Sequence, residues 1–139
     1  MKEKRLFKKG AYLLSVLRCL WRWPLGRFTV TADGRELMCH SVIACNGARY
    51  GGNFLLTPGA DLSDPLLDLF CITAESRWSY LRIMADVMAG RSCRTGDVTL
   101  LRAAQVEVGG ERAIQLDGDY LGQAPVRVGT IAGFARIIV

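Results

Sequence analysis

Apolar positions recur at helical spacing near the start of the chain, where lysines and arginines separate Leu6, Leu13, Leu17, Leu20 and Trp21. That pattern predicts a basic amphipathic helix over residues 1–24, which Pro24 ends because proline cannot continue the hydrogen-bond ladder. From residue 25 to residue 139 the apolar period shortens and strand signals dominate. "RFTVTADGRELMCHSVIAC" reads as a hairpin turning at Asp33-Gly34, a pair that tolerates positive φ. "SVIACNGARYGGNFLLTP" reads as a second hairpin turning at Asn46-Gly47, and "LLDLFCI" as a short buried strand. A helical period returns over about residues 74–89, with Trp78, Leu81, Ala85 and Met88 as its apolar stripe and Gly90 as its cap. After it, "DVTLLRAAQVEV", "RAIQLDG", "APVRVG" and "FARIIV" are β-prone segments divided by Gly-Gly or Asp-Gly turns. Closely spaced strands with only two helices predict a mainly β fold, a β-sandwich or barrel-like core instead of a βαβ sheet.

Composition narrows this picture without changing it. A chain of 139 residues that is half apolar and carries 15 glycines suits one globular, turn-rich domain with a real core. The net charge of +5 is unevenly placed, at +7 up to Arg27 and −2 over the remainder. A basic leading segment suits anionic lipid or nucleic acid, and equally a solvated helix face. The β-rich body lacks the interleaved aromatic and basic residues that stack on bases, which argues against nucleic acid. The start resembles a signal peptide, but Arg18 and Arg22 interrupt the apolar run and no small-residue cleavage site follows. The run is also too short and too charged to span a bilayer. The expected location is cytoplasmic, with peripheral membrane contact open. Cys19, Cys39, Cys45, Cys71 and Cys93 show no metal-ligand spacing and read as buried free thiols. His40, the only histidine, reads as a strand residue.

Three stretches carry candidate chemistry. "QLDGDYLGQAP" sets Asp117 and Asp119 on either side of Gly118; this is either the polar tip of a β-turn or a pair of carboxylates aimed at a substrate. "YGGN" places paired glycines inside a strand pattern, marking a bulge or a close backbone approach. "GADLSDPLLD" offers Asp61, Asp64 and Asp68, whose carboxylates and loop carbonyls could hold a hard cation or simply form turns. No Walker loop occurs, and no GxGxxG links a strand to a helix.

Together, "NGARYGGNFLLTPGADLSDPLLDLF", then "IQLDGDYLGQAPVRV" about fifty residues later and a last apolar strand, resemble one family. The chain looks like the C-terminal, substrate-side domain of diacylglycerol kinase-type lipid kinases, the group with the YegS-like, sphingosine and ceramide kinases and an NAD kinase-like fold. The resemblance implies an ATP- and magnesium-dependent transfer of phosphate to the hydroxyl of a diacylglycerol-like lipid. It implies that Asp117 is the candidate general base and that Asp119 joins the acidic, magnesium-linked network. Asn46, Gly51, Gly52 and Gly118 would then border the substrate cleft, and Asp61, Asp64 and the backbone of Leu66 would hold a structural divalent cation.

Departures from the family accompany the match. Asp64 is followed by Pro65 where relatives have glycine, Asn53 replaces a glycine, and Asp119 stands in for glutamate. The Gly-Gly-Asp-Gly-Thr nucleotide loop is absent from these residues, as is the strand that precedes the basic helix in relatives. The expectation is a partner nucleotide-binding domain in cis or in trans, no turnover by the chain alone, and homo-oligomer formation through an uncovered strand edge. The alternative is a non-enzymatic β-sandwich that binds a lipid or small molecule.

Overall fold

The computed structural model describes residues 26–50, 54–74, 76–91, 93 and 96–133. The expected helix over 1–24, the glycines Gly51 and Gly52 and the closing "FARIIV" lie outside the described residues. Within them the chain forms β1 (Phe28–Ala32), β2 (Arg35–Cys39), β3 (Ser41–Cys45), β4 (Arg49–Tyr50), β5 (Phe54–Leu55) and β6 (Leu67–Ile72). Helix α1 (Arg77–Met88) follows, then β7 (Val98–Ala103), β8 (Gln105–Val108), β9 (Ala113–Leu116), β10 (Asp119–Gln123) and β11 (Val126–Gly129). The mainly β architecture expected from the pattern is the one found, and its sheets are antiparallel.

One sheet has the order β11-β8-β1-β2 and a second the order β3-β6-β7, while β4–β5 and β9–β10 are separate hairpins. Phe28, Val30 and Ala32 of β1 bury against Cys39, Val106, Leu69, Cys71 and Ala103, so the first core lies between the two larger sheets. On the opposite face of β6, Phe70 and Ile72 pack with Cys45, Leu56, Ala74 and Ile83 of α1 to form a second core. Strand β6 is therefore apolar on both faces because it lies in the middle of three layers, unlike strands that alternate between core and solvent.

The chain changes sheets twice by bending within what reads as one strand. At His40 it leaves β2 for β3, and the His40 N–H is held by the Ile72 carbonyl at 2.8 Å. His40 is thus a corner residue, not a strand residue. At Ala104 it leaves β7 for β8, so "DVTLLRAAQVEV" is two strands serving two cores.

The Asn46-Gly47 hairpin does not form. Strand β3 pairs along its whole length with β6, from Ser41–Ile72 to Cys45–Asp68, because β6 offers the larger apolar surface. Asn46, Gly47 and Ala48 instead bend the chain toward the short β4–β5 hairpin, where Arg49 faces Leu55. The Gly47 carbonyl accepts the hydroxyl of the buried Thr57 at 3.1 Å.

Helix α1 is shorter than the expected 74–89. Ser76 caps it, its hydroxyl accepting the N–H groups of Trp78 and Ser79, each at 3.2 Å. It ends with Gly90 at φ +67°, where Gly90 N–H binds the Val87 carbonyl and Arg91 N–H the Asp86 carbonyl. Its orientation corrects the predicted stripe. Ile83, with Tyr80 and Val87, faces the core, while Trp78 is 80% and Met88 69% exposed. The helix carries apolar residues on both sides, and the sheet has room for only one of them.

Candidate functional site

Two Asp-Gly turns share one backbone conformation. Asp33 and Gly34 have φ of +45° and +82°, Asp117 and Gly118 of +51° and +99°, the left-handed geometry of a two-residue hairpin loop. In each, the flanking residues pair directly, Ala32 with Arg35 and Leu116 with Asp119. Their side chains differ completely. The Asp33 carboxylate accepts the N–H groups of Ala104 at 3.0 Å and Gln105 at 2.9 Å, fastening the corner where β7 becomes β8. The carboxylates of Asp117 and Asp119 are exposed and have no hydrogen-bond or ion-pair partner among the described residues.

The hairpin that carries them is itself exposed. Leu116, Tyr120 and Leu121 are all more than 60% open to solvent. A register shift between Tyr120 and Gly122 places a bulge at Leu121, with Gly122 at φ +147°, a value that glycine alone adopts readily. Free carboxylates flanked by apolar side chains can accept a proton from, and orient, a ligand with both a hydroxyl and an apolar body. That is the chemistry available at this tip.

A second polar group lies at one end of the β3-β6-β7 sheet. The Asp61 Oδ1 atom accepts the Ser63 hydroxyl at 2.6 Å and the Ser63 N–H at 2.9 Å. These bonds, the hydroxyl first, hold the Asp61 carboxyl below its ordinary value. One oxygen of Asp64 accepts the Leu66 N–H at 3.0 Å, and the other is paired with Arg102 Nη2. Arg102 Nε also reaches Asp68 Oδ1 at 3.3 Å, directly across the β6–β7 register. The bend at Asn46 and Gly47 lies beside this loop, where a Cβ at Gly47 would come within 3.5 Å of Leu62.

The structure thus gathers Asn46, Asp61, Asp64 and Leu66 around one sheet end. No hydrogen bond or ion pair among the described residues joins them to Asp117, Gly118 or Asp119. A resident cation at this set would compete with Arg102, whose guanidinium already pairs with Asp64 and Asp68. Among the described residues no group of three or more His, Cys, Asp or Glu side chains converges as metal ligands. Asp68 and Arg102 were not singled out as a pair by sequence reading; only the register of β6 against β7 brings them together. A separate open groove of about 300 Å³ lies on the outer face of β1, β8 and β11, crossed by the Glu107–Arg127 ion pair. It contains none of the predicted site residues.

Residues 2–139 match the model of the YegS C-terminal NAD kinase beta sandwich-like domain. The chain belongs to that family. The YegS-type domain is also similar, at 26% identity, to the diacylglycerol kinases of Mycobacterium tuberculosis strains CDC 1551 / Oshkosh and ATCC 25618 / H37Rv. Each alignment covers 84% of this chain and 45% of the relative, so the chain spans about half the length of the curated relatives it matches. Crystal structures from Bacillus anthracis str. Sterne, each bearing a diacylglycerol kinase name, share the fold. One has a TM-score of 0.64 at 20% identity and covers 88% of this chain and 44% of its own. Another has a TM-score of 0.61 at 18% identity, covering 77% and 40%. Among the described residues no helix is long and apolar enough to cross a membrane.

Proposed function

We propose that this YegS-type domain is the acceptor side of an ATP-dependent lipid kinase acting on the hydroxyl of a diacylglycerol-like lipid. The observation that carries the reading is the contrast between the two Asp-Gly turns. Asp33 spends its carboxylate on the fold, whereas Asp117 and Asp119 hold theirs open on a hairpin with Leu116, Tyr120 and Leu121 beside them. In the proposed reaction Asp117 accepts the proton of the lipid hydroxyl as the hydroxyl oxygen bonds to the γ-phosphorus of ATP and the bond from that phosphorus to the bridging oxygen breaks, releasing ADP. Asp119, two positions along, adds a second negative charge near the turn. The exposed apolar side chains support the acyl-bearing body of the acceptor.

ATP and magnesium belong, in this proposal, to a nucleotide-binding half provided in cis or in trans. Peripheral contact with an anionic membrane is a further part of it. The basic run up to Arg27 supports that contact, as does the outward face of α1, where Trp78, Met84 and Met88 are exposed near Arg77.

The test is reconstitution with a nucleotide-binding half, followed by a lipid phosphorylation assay. The chain alone is expected to be inactive. In the rebuilt enzyme Asp117→Asn should lower kcat by roughly a hundredfold or more, the scale for loss of a general base. Glu36→Gln, on the exposed arm of β2, should leave the rate unchanged. Unaltered turnover in Asp117→Asn would remove the catalytic role and leave lipid binding without catalysis as the better reading.

A further inference from the structure

The loop entering β6 and β6 itself place Asp64 and Asp68 together at the sheet end, and Asp68 has a side chain only 8% exposed. A carboxylate that buried needs a compensating positive charge, because removing an ion from water costs several kcal/mol, roughly, even after relaxation. Arg102 supplies it. Its Nε meets Asp68 and its Nη2 meets Asp64, so one guanidinium ties the loop to the strand. Bridging two carboxylates in this way is the work a divalent cation would otherwise perform.

The loop is also closed by other donors. Leu66 N–H occupies the second Asp64 oxygen, Ser63 occupies Asp61, and the Thr130 hydroxyl after β11 binds the Pro65 carbonyl at 2.6 Å. A magnesium ion takes about six oxygens and calcium about six to eight. Here it would have to share Asp64 with a guanidinium already in contact. Asp68 Oδ2 is buried and without a hydrogen-bond partner among the described residues.

We infer that Arg102 is a built-in counter-cation: it holds the loop of residues 61–66 on the end of the β3-β6-β7 sheet and makes the domain independent of a structural metal. The inference rests on packing and charge alone and stands apart from the kinase reading. Thermal unfolding of the metal-stripped chain, with and without magnesium, calcium or manganese chloride, tests it. The wild-type midpoint should agree within about 1 °C in chelator and in millimolar cation. Arg102→Met should lower the midpoint in chelator by roughly 5 °C or more and gain a saturable rise of similar size on adding cation. Adding Asp64→Asn to that variant should abolish the rise.

A saturable cation response in the wild type, removed by Asp64→Asn or Asp68→Asn, would overturn the inference. So would an Arg102→Met chain that neither loses stability nor gains a cation response. If Arg102→Met does not fold, Arg102→Lys serves in its place, and the wild-type titration decides the first arm alone.

Discussion

At the scale of single residues, the two Asp-Gly turns separate a structural carboxylate from a free one. Asp33→Ala removes the acceptor of two corner N–H groups and should destabilise the domain by about 1–3 kcal/mol, measured by chemical denaturation. Asp117→Asn should change stability by less than about 0.5 kcal/mol, because asparagine tolerates the left-handed turn and the side chain has no partner among the described residues to lose. Equal losses at both positions would contradict the assignment. Local pattern displayed both turns equally well, and only the family resemblance singled out Asp117; nothing in the pattern foretold that Asp33 would be tied down. Asp33 finds its partners 71 and 72 residues away, at a corner that local pattern cannot reveal. Arg102 was hidden for the same reason: it lies 38 residues from Asp64 and reads, in isolation, as the exposed member of an alternating strand.

At the scale of elements, the strands and α1 were legible because period and turn chemistry are local properties. Partner choice was not. Asn46-Gly47 has the composition of a hairpin turn, yet β3 gains more by pairing with β6 than by folding back on its neighbour. Likewise α1 offered two apolar faces, and only the presence of Phe70, Ile72 and Leu56 selects the one carrying Ile83. Ile83→Ala should therefore cost about 2–5 kcal/mol, while Trp78→Ala, on the open face, should leave the denaturation midpoint nearly unchanged. A large loss at Trp78 with little at Ile83 would reverse the helix.

For the molecule as a whole, buried titratable groups set the pH range of stability. Burial raises the thiols of Cys45 and Cys93 and the phenol of Tyr80, and hydrogen bonding to Cys39 together with burial raises the Cys71 thiol. The folded chain holds these protons more tightly than the unfolded chain. Their contribution is complete below the ordinary thiol and phenol values, about 8.5 and 10, and is lost as pH rises through the raised folded values. The melting temperature should fall steadily above about pH 8.5; a flat profile to pH 10.5 would contradict this. Asp61, held low by Ser63, acts in the opposite direction: its small contribution is present above the carboxylate range and fades in acid. The double-sided burial of β6 has a kinetic consequence as well. Because its two faces belong to two cores, neither the helix layer nor the outer sheet can detach without exposing it. In hydrogen–deuterium exchange, the amides of Leu69–Ile72 should open only with the entire domain, at the global unfolding free energy, while those of the β9–β10 arm exchange through local fraying. The arm carrying Asp117 would then be free to reshape around a ligand while β6 keeps the remainder of the fold as one cooperative unit.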